Sequence, residues 1–213
     1  MLQEKLQICS FSCDMNGMAD TERVRGVAGA QRGVFSKADL QVLLAERHPA
    51  AFTRRVAALE EAGVLRRFSR GMYVTGEFDL ATLSQRLAPG SYVSFGNALA
   101  RHLVIGTRPE RQLVAAKPGR AHEYSGLGFE IVHVQIAPHL DFGHAVVDGV
   151  RWADAEKATL DTLYFHLRGR RFPFDVFSDI DPARLDRARL EAYLERYRNP
   201  RFVAFARGVL GLA

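Results

Sequence analysis

The stretch from His48 to Tyr73 reads HPAAFTRRVAALEEAGVLRRFSRGMY. Pro49 suits the first position of a helix, where its missing N–H costs nothing, and Gly63 suits the left-handed residue that closes one. These two residues predict a helix from about Pro49 to Ala62. The next segment, Val64–Phe68, is followed by the turn-forming Ser69-Arg70-Gly71 and by Met72-Tyr73-Val74, so we expect a hairpin after the helix.

The predicted helix is amphipathic. At about 100° per residue, Phe52, Val56 and Leu59 fall within one narrow arc, which we expect to be buried. The residues that occupy or flank the opposite side are small or cationic: Ala51, Arg54, Arg55 and Ala58. Alanines let a helix approach a groove closely, and guanidinium groups match guanine O6/N7 or phosphate oxygens.

Another helix precedes this one. Ser36-Lys-Ala-Asp39 has the spacing of a capping box, and Phe35 and Leu40 flank the cap as a hydrophobic staple. Its buried stripe is expected to be Leu40, Leu43 and Leu44. A further short helix is expected within Asp20–Ala30, with Val24 and Val27 facing inward, although Gly26 and Gly29 lower its helix propensity.

Three helices followed by a basic hairpin are the pattern of a winged helix-turn-helix, which makes double-stranded DNA the first partner to consider. Residues 31–73 hold eight basic and four acidic residues, a net charge of +4 in a chain whose total is +5. A charged face is often only a solvated surface, but the order of cap, proline, glycine and hairpin favours DNA binding. The expected DNA-contacting residues are Lys37, Thr53, Arg54, Arg55, Arg66, Arg67, Ser69 and Arg70.

The size and composition are those of an ordinary globular protein. The chain has 213 residues, 47% of them hydrophobic, which is enough for one large or two small cores. Residues 1–18 are expected to be a disordered tail or an upstream extension, because Met15 and Met18 stand just before the first helix. That segment contains Cys9 and Cys13 but neither a metal-site spacing nor an apolar signal or membrane span, so we expect a cytoplasmic protein without a metal or cofactor.

We expect residues 19–76 to form the winged helix and residues 77–213 a mixed α+β domain, an α+β fold overall. Helices are expected at Leu80–Leu87, with Asp79 as its cap, and at Phe95–His102, with Ser94 as a cap rather than a nucleophile. The expected strands are Gln112–Ala116, His122–Tyr124, Phe129–Gln135, Ala145–Val147 and Val150–Trp152. The last helices are expected at about Asp154–Arg168, Ala183–Tyr197 and Arg201–Gly208.

Two clusters in the second half are candidate functional sites. Asp154 is the expected cap of its helix, Lys157 and Asp161 form an i, i+4 pair, and Glu156 lies on the stripe of Leu160, Leu163, Tyr164 and Leu167, which are expected to face inward. A structural role is favoured for this motif. His139, Asp141 and His144 share one loop, but a metal site there needs a further ligand. Nothing else resembles catalytic machinery, so an enzyme is the least favoured class.

Four segments together resemble the AbiEi-type proteins, predicted regulators and antitoxins of bacterial type IV toxin–antitoxin and abortive-infection modules. The segments are FSKADL, GVLRRFSRGMYV, SYVSFGNALARH and DAEKATLDTLYF, and the resemblance covers roughly residues 34–197. The resemblance implies that the winged helix represses the promoter of its own operon and that the C-terminal domain is the antitoxin. It also implies a nucleotidyltransferase-like toxin, neutralised without a stable complex. Arg54, Arg55, Arg66, Arg67 and Arg70 match the positions of the family's basic DNA-binding surface.

One alternative stays open: a protein-interaction module whose winged helix docks a partner protein instead of DNA. Because one winged helix covers only a half-site, the expected operator is an inverted repeat read by two copies. Either a weak dimer or two monomers binding cooperatively would satisfy that geometry.

Overall fold

The computed structural model describes residues 17–107 and 109–212. The chain divides into two compact units after Asp79, close to the boundary expected after residue 76. A disordered tail or upstream extension is expected at residues 1–18, but residues 1–16 lie outside the described residues. Cys9 and Cys13 are among them. Residues 17 and 18 already belong to the first helix, which therefore begins before the expected Asp20.

The N-terminal unit contains three helices and a small antiparallel sheet. Helix α1 covers residues 17–28, α2 runs from Lys37 to Leu43, and α3 from Pro49 to Glu61. The strands are β1 (Val34–Ser36), β2 (Arg66–Ser69) and β3 (Met72–Val74), in the order β1-β3-β2. The hairpin was expected, whereas β1 was not, because Phe35 had been assigned only to the staple beside the cap.

The local signals of the N-terminal unit act as the sequence predicts. Ser36 Oγ accepts a hydrogen bond from the Asp39 N–H at 3.1 Å, and Asp39 Oδ2 accepts one from the Ser36 N–H at 2.8 Å, which completes the capping box. Pro49 begins α3, and Gly63 adopts a φ of +68° just beyond its end. The buried face is confirmed, since these residues pack into one core: Val24, Phe35, Leu40, Leu44, Phe52, Val56 and Leu59. Val27 and Leu43 pack at its margin.

The C-terminal unit is built on a six-stranded mixed sheet in the order β6-β7-β5-β4-β9-β8. Pairs β5·β7 and β4·β9 are parallel and the remaining pairs antiparallel. The strands are β4 (Tyr92–Val93), β5 (Gln112–Pro118), β6 (His122–Gly126), β7 (Phe129–Ile136), β8 (His144–Val147) and β9 (Val150–Ala153). The helices are α4 (Leu80–Leu87), α5 (Phe95–Arg101), α6 (Ala155–Leu167), α7 (Arg187–Leu194) and α8 (Pro200–Leu210). The expected mixed α+β architecture is confirmed.

Two differences from the expected C-terminal elements have local causes. The helix expected from Ala183 begins only at Arg187, because Pro182–Arg184 forms a 3-10 turn and Asp186 then caps α7 through the Ala188 and Arg189 N–H groups. Leu167 is 43% exposed instead of facing inward, since it lies at the last residue of α6, beyond the core that Leu160 and Leu163 enter. Among the described helices, none is long and apolar enough to cross a membrane.

Candidate functional site

The solvent-exposed face of α3 centres on Thr53 and Arg54. Ala50 and Ala58 are also exposed, and Ala57, which lies opposite Phe52 at about 100° per residue, is partly exposed. Of the residues expected on or beside this face, Arg54 and Ala58 are exposed, whereas Ala51 and Arg55 are only partly exposed. Arg54 makes no ion pair or side-chain hydrogen bond within residues 17–107 and 109–212.

Arg55 has a structural role instead of the expected one in the groove. Its Nε donates to Asp20 Oδ2 at 2.7 Å, Nη2 donates to Asp20 Oδ1, and Nη1 donates to the Leu44 carbonyl at 2.9 Å. Asp20 is buried, and the hydrogen bond that it accepts raises the pKa of Arg55. These contacts join α3 to α1 and to the end of α2, so Arg55 leaves the set of DNA-contacting candidates. The sequence signal was partial, since Arg55 flanks the buried arc of α3 but its partner Asp20 lies in α1, 35 positions away.

The hairpin presents the remaining arginines to solvent. Arg66, Arg67 and Arg70 are exposed, and Arg66 Nη2 donates to the Gly76 carbonyl at 3.1 Å. The strand register shifts between Arg67 and Ser69, which leaves Phe68 as an extra residue with a buried side chain. Ser69 is only partly exposed.

Lys37 lies near the start of α3, since its Nζ is 5.9 Å from the centre of the Phe52 ring. We call the following five exposed cations the basic group: Lys37, Arg54, Arg66, Arg67 and Arg70. None of them forms an ion pair with a carboxylate within the part of the chain that the structure describes. The N-terminal unit therefore presents uncompensated positive charge on α3, at the start of α2 and on the hairpin.

A buried ion pair lies at the centre of the C-terminal unit. Lys157 and Asp161 are 0% and 1% exposed, and Lys157 Nζ donates to Asp161 Oδ1. Asp161 Oδ2 accepts hydrogen bonds from Tyr92 OH at 3.0 Å and from Ser94 Oγ at 2.8 Å. Ser94 does occupy the N-cap position of α5, but its hydroxyl caps no N–H group and binds Asp161 instead.

Aromatic rings enclose the Lys157 ammonium group. Its Nζ lies 4.7 Å from the ring centre of Phe142, 5.6 Å from that of Tyr92 and 5.7 Å from that of Tyr197. Burial raises the pKa of Tyr92 and of Tyr197 well above the usual range, so both remain protonated donors. Gly143 closes the enclosure with a φ of +67°, and a Cβ there would lie 2.9 Å from Lys157 Cβ.

Glu156 fastens the other side of α6. Its Oε1 accepts the Asp186 N–H at 2.8 Å, and its Oε2 lies 3.2 Å from Arg189 Nη1. The position of Glu156 on the buried stripe predicts a bond to a neighbouring segment, and residues 186–189 are that segment. All three residues of this motif are buried. Asp161 bonds to Tyr92 and Ser94, and Glu156 bonds to Asp186 and Arg189, so the motif connects α6 with β4, α5 and α7.

The histidines are dispersed. His144 Nε2 lies 2.8 Å from Asp141 Oδ1 and its ring stacks on Tyr92, whereas His139 is exposed. No group of three or more metal-ligating side chains is found among the described residues. His133 is fully buried, and its Nε2 lies 2.9 Å from Ser84 Oγ.

The fold and these two sites define a two-unit α+β protein with a basic N-terminal unit. No protein-family model and no curated protein matches the chain. A solved structure does: the RV2827C protein from Mycobacterium tuberculosis, with a TM-score of 0.57 and 17% sequence identity over 88% of this chain and 74% of that one. This likeness concerns the fold.

Proposed function

We propose that the protein is a DNA-binding transcriptional regulator whose N-terminal unit is a winged helix-turn-helix. In this proposal α2 and α3 are the helix-turn-helix, α3 enters the major groove, and the β2–β3 hairpin is the wing. The observation that carries the proposal is the basic group, in which five exposed cations lack carboxylate partners within the described residues. Unpaired guanidinium groups are the donors that phosphates and guanine edges accept.

The proposal divides the work between two kinds of contact. Arg54 and Thr53 lie in the first half of α3, the part of a recognition helix that reaches base edges, and the alanines beside them allow close approach. The arginines of the hairpin and Lys37 bind the phosphate backbone, which positions the protein without reading sequence. Glu61 shares the exposed face but lies eight residues beyond Thr53, roughly 12 Å along the helix axis.

The regulated DNA is proposed to be the promoter of the protein's own operon, read as an inverted repeat. The support is the resemblance to AbiEi-type proteins, which also makes the C-terminal unit an antitoxin against a nucleotidyltransferase-like toxin. In this role the buried motif of α6 is scaffold rather than machinery, because Lys157 has no exposed surface.

DNase footprinting on the region upstream of the gene tests the DNA-binding proposal. The wild-type chain should protect a repeat, and Arg54→Ala should raise the protein concentration needed for protection by about 5- to 150-fold, as expected for a lost contact of about 1–3 kcal/mol. Arg171→Ala, which removes another exposed charge from the C-terminal unit, is the matched control. Equal protection by Arg54→Ala and Arg171→Ala would remove α3 from the interface.

The antitoxin proposal has its own test. Co-expression with the adjacent gene should restore growth that the adjacent gene alone inhibits, without co-purification of the two products. Stable co-purification combined with no footprint would instead support the protein-docking alternative.

A further inference from the structure

The C-terminal unit contains an open cleft that neither the basic group nor the buried ion pair uses. Its volume is about 860 Å³, within the range of roughly 300–1,000 Å³ that small-molecule sites occupy. Its lining includes Gly119, Gln135, Ile136, Phe165, Arg168 and Arg170.

Three elements end at this cleft. Strands β5 and β7 run parallel, with Pro118 opposite Ile136, so their carboxyl ends open on the same side. Ligands of sheets with parallel strands commonly bind outside such carboxyl ends. Helix α6 ends beside them and contributes Phe165 and the two arginines that follow it.

Arg170 is a half-buried cation without a partner. Its guanidinium group has no side-chain hydrogen bond and no ion pair among the described residues, and its one aromatic contact there is Phe172 at 6.0 Å. Burial lowers the pKa of Arg170, and the more distant Glu123 and Glu130 offset only part of this effect. A bound anion would compensate the positive charge of Arg170, which burial holds away from water.

Arg168 supplies a second, better fixed guanidinium group. Its Nη1 donates to Tyr164 OH at 2.8 Å, and the group lies 5.2 Å from the Tyr164 ring centre. This stacking orients the group while leaving its other N–H donors free.

The electrostatic balance of the cleft favours an anion. No carboxylate is among its lining residues in the described chain. The arginines of the lining carry two full positive charges, opposed by about half a negative charge from the carboxyl end of α6 and by Glu123 and Glu130, which act on Arg170 from outside the lining. Gly119 has a φ of +84° and no side chain, so a ligand can approach the backbone after β5 closely.

We propose that this cleft binds a phosphorylated small molecule of nucleotide size, with its phosphates on Arg168 and Arg170 and its planar base beside Phe165. The ligand class follows from the two guanidinium groups, which match phosphate oxygens in pairs, and from the aromatic wall. The site belongs to the C-terminal unit alone and does not depend on DNA binding by the N-terminal unit.

Isothermal titration of the full-length chain with adenosine and guanosine triphosphates tests the proposal, with adenosine and inorganic triphosphate as further arms. One nucleotide should bind per chain, and Arg168→Ala with Arg170→Ala should weaken binding on the order of a hundredfold, since each charge-assisted contact contributes about tenfold. Arg171→Ala, adjacent in sequence but outside the lining, should leave the affinity unchanged. Free adenosine should not bind.

Three results would overturn the proposal. The first is the absence of nucleotide binding, and the second is nucleotide binding that the double variant leaves intact. The third is inorganic triphosphate that binds as tightly as the nucleotides, because it would show that the base makes no contact. If the double variant fails to fold, amide chemical shifts of the wild-type chain replace it: nucleotide addition should move the signals of Gly119 and Gln135, and unmoved signals there would contradict the site. The double variant should retain the DNA footprint, which distinguishes a failure of the nucleotide proposal from a failure of the DNA-binding proposal.

Discussion

Arg54 and Arg55 are adjacent in the chain and differ in every contact. Arg54 lies on the exposed face of α3, whereas Arg55 donates three hydrogen bonds to Asp20 and to the Leu44 carbonyl. The pair therefore separates a role in binding from a role in stability.

Arg55→Ala should lower the free energy of unfolding by roughly 2–3 kcal/mol, because it leaves the buried Asp20 carboxylate with only the half-exposed Arg23, 3.2 Å away. Arg54→Ala should change stability by less than about 0.5 kcal/mol. Urea denaturation of the two variants measures both values. Equal losses would mean that Arg55 does not hold the helices together.

His133 makes stability depend on pH. Burial, with smaller contributions from Lys117 and His122, lowers the pKa of His133 to about 4 from its usual 6.5. Above pH 6.5 the histidine is neutral in both the folded and the unfolded chain, but between pH 6.5 and about 4 the unfolded chain binds a proton that the folded chain does not. Stability contributed by the neutral ring is therefore lost as the pH falls through this window.

The expected loss is up to about 3 kcal/mol between neutral pH and pH 4. His133→Gln removes the titrating group, and its unfolding free energy should fall less steeply over the same range. Parallel curves for the wild-type chain and the variant would show that His133 titrates normally.

At the scale of elements, the buried pair of α6 fastens the helix to the sheet. Asp161 accepts hydrogen bonds from Lys157 on the same helix, from Tyr92 on β4 and from Ser94 at the start of α5. A charge so deeply buried costs free energy unless every partner is present.

Lys157→Met alone or Asp161→Leu alone should each destabilise the C-terminal unit by about 3–5 kcal/mol, because each leaves one uncompensated buried charge. The double variant should be destabilised by less than the sum of the two, with a coupling of about 1–3 kcal/mol. Thermal and urea unfolding of the three variants complete the cycle. Additive losses would mean that the two side chains do not stabilise each other.

Elements with a cap or a turn residue were the ones that sequence could predict. The capping box at Ser36, Pro49 at the start of α3, and Asp148-Gly149 between β8 and β9 all specify backbone geometry locally. Strand β1 carries no such signal, since it is short and exists through its pairing with β3. The same holds for Ser94, whose hydroxyl could not be assigned to Asp161 without knowing which helix packs beneath it.

At the scale of the whole molecule, the two units have separate cores and separate candidate sites. The position of charge along the chain predicted a basic N-terminal unit, and helical periodicity identified Arg54 as exposed. Neither signal could show that Arg55 bonds to Asp20, because that contact joins residues 35 positions apart. The cleft beside α6 was equally hidden, since its lining comes from three segments that only the sheet brings together.

The hairpin arginines are proposed to bind DNA phosphates. Each phosphate contact should contribute about 0.9 to the slope of log K against log salt concentration. Fluorescence anisotropy of a labelled upstream duplex, titrated at several salt concentrations, measures this slope. Arg67→Ala with Arg70→Ala should lower it by about two, and Arg171→Ala should leave it unchanged. A slope that the double variant does not alter, or no DNA binding at about 50 mM salt, would contradict the account.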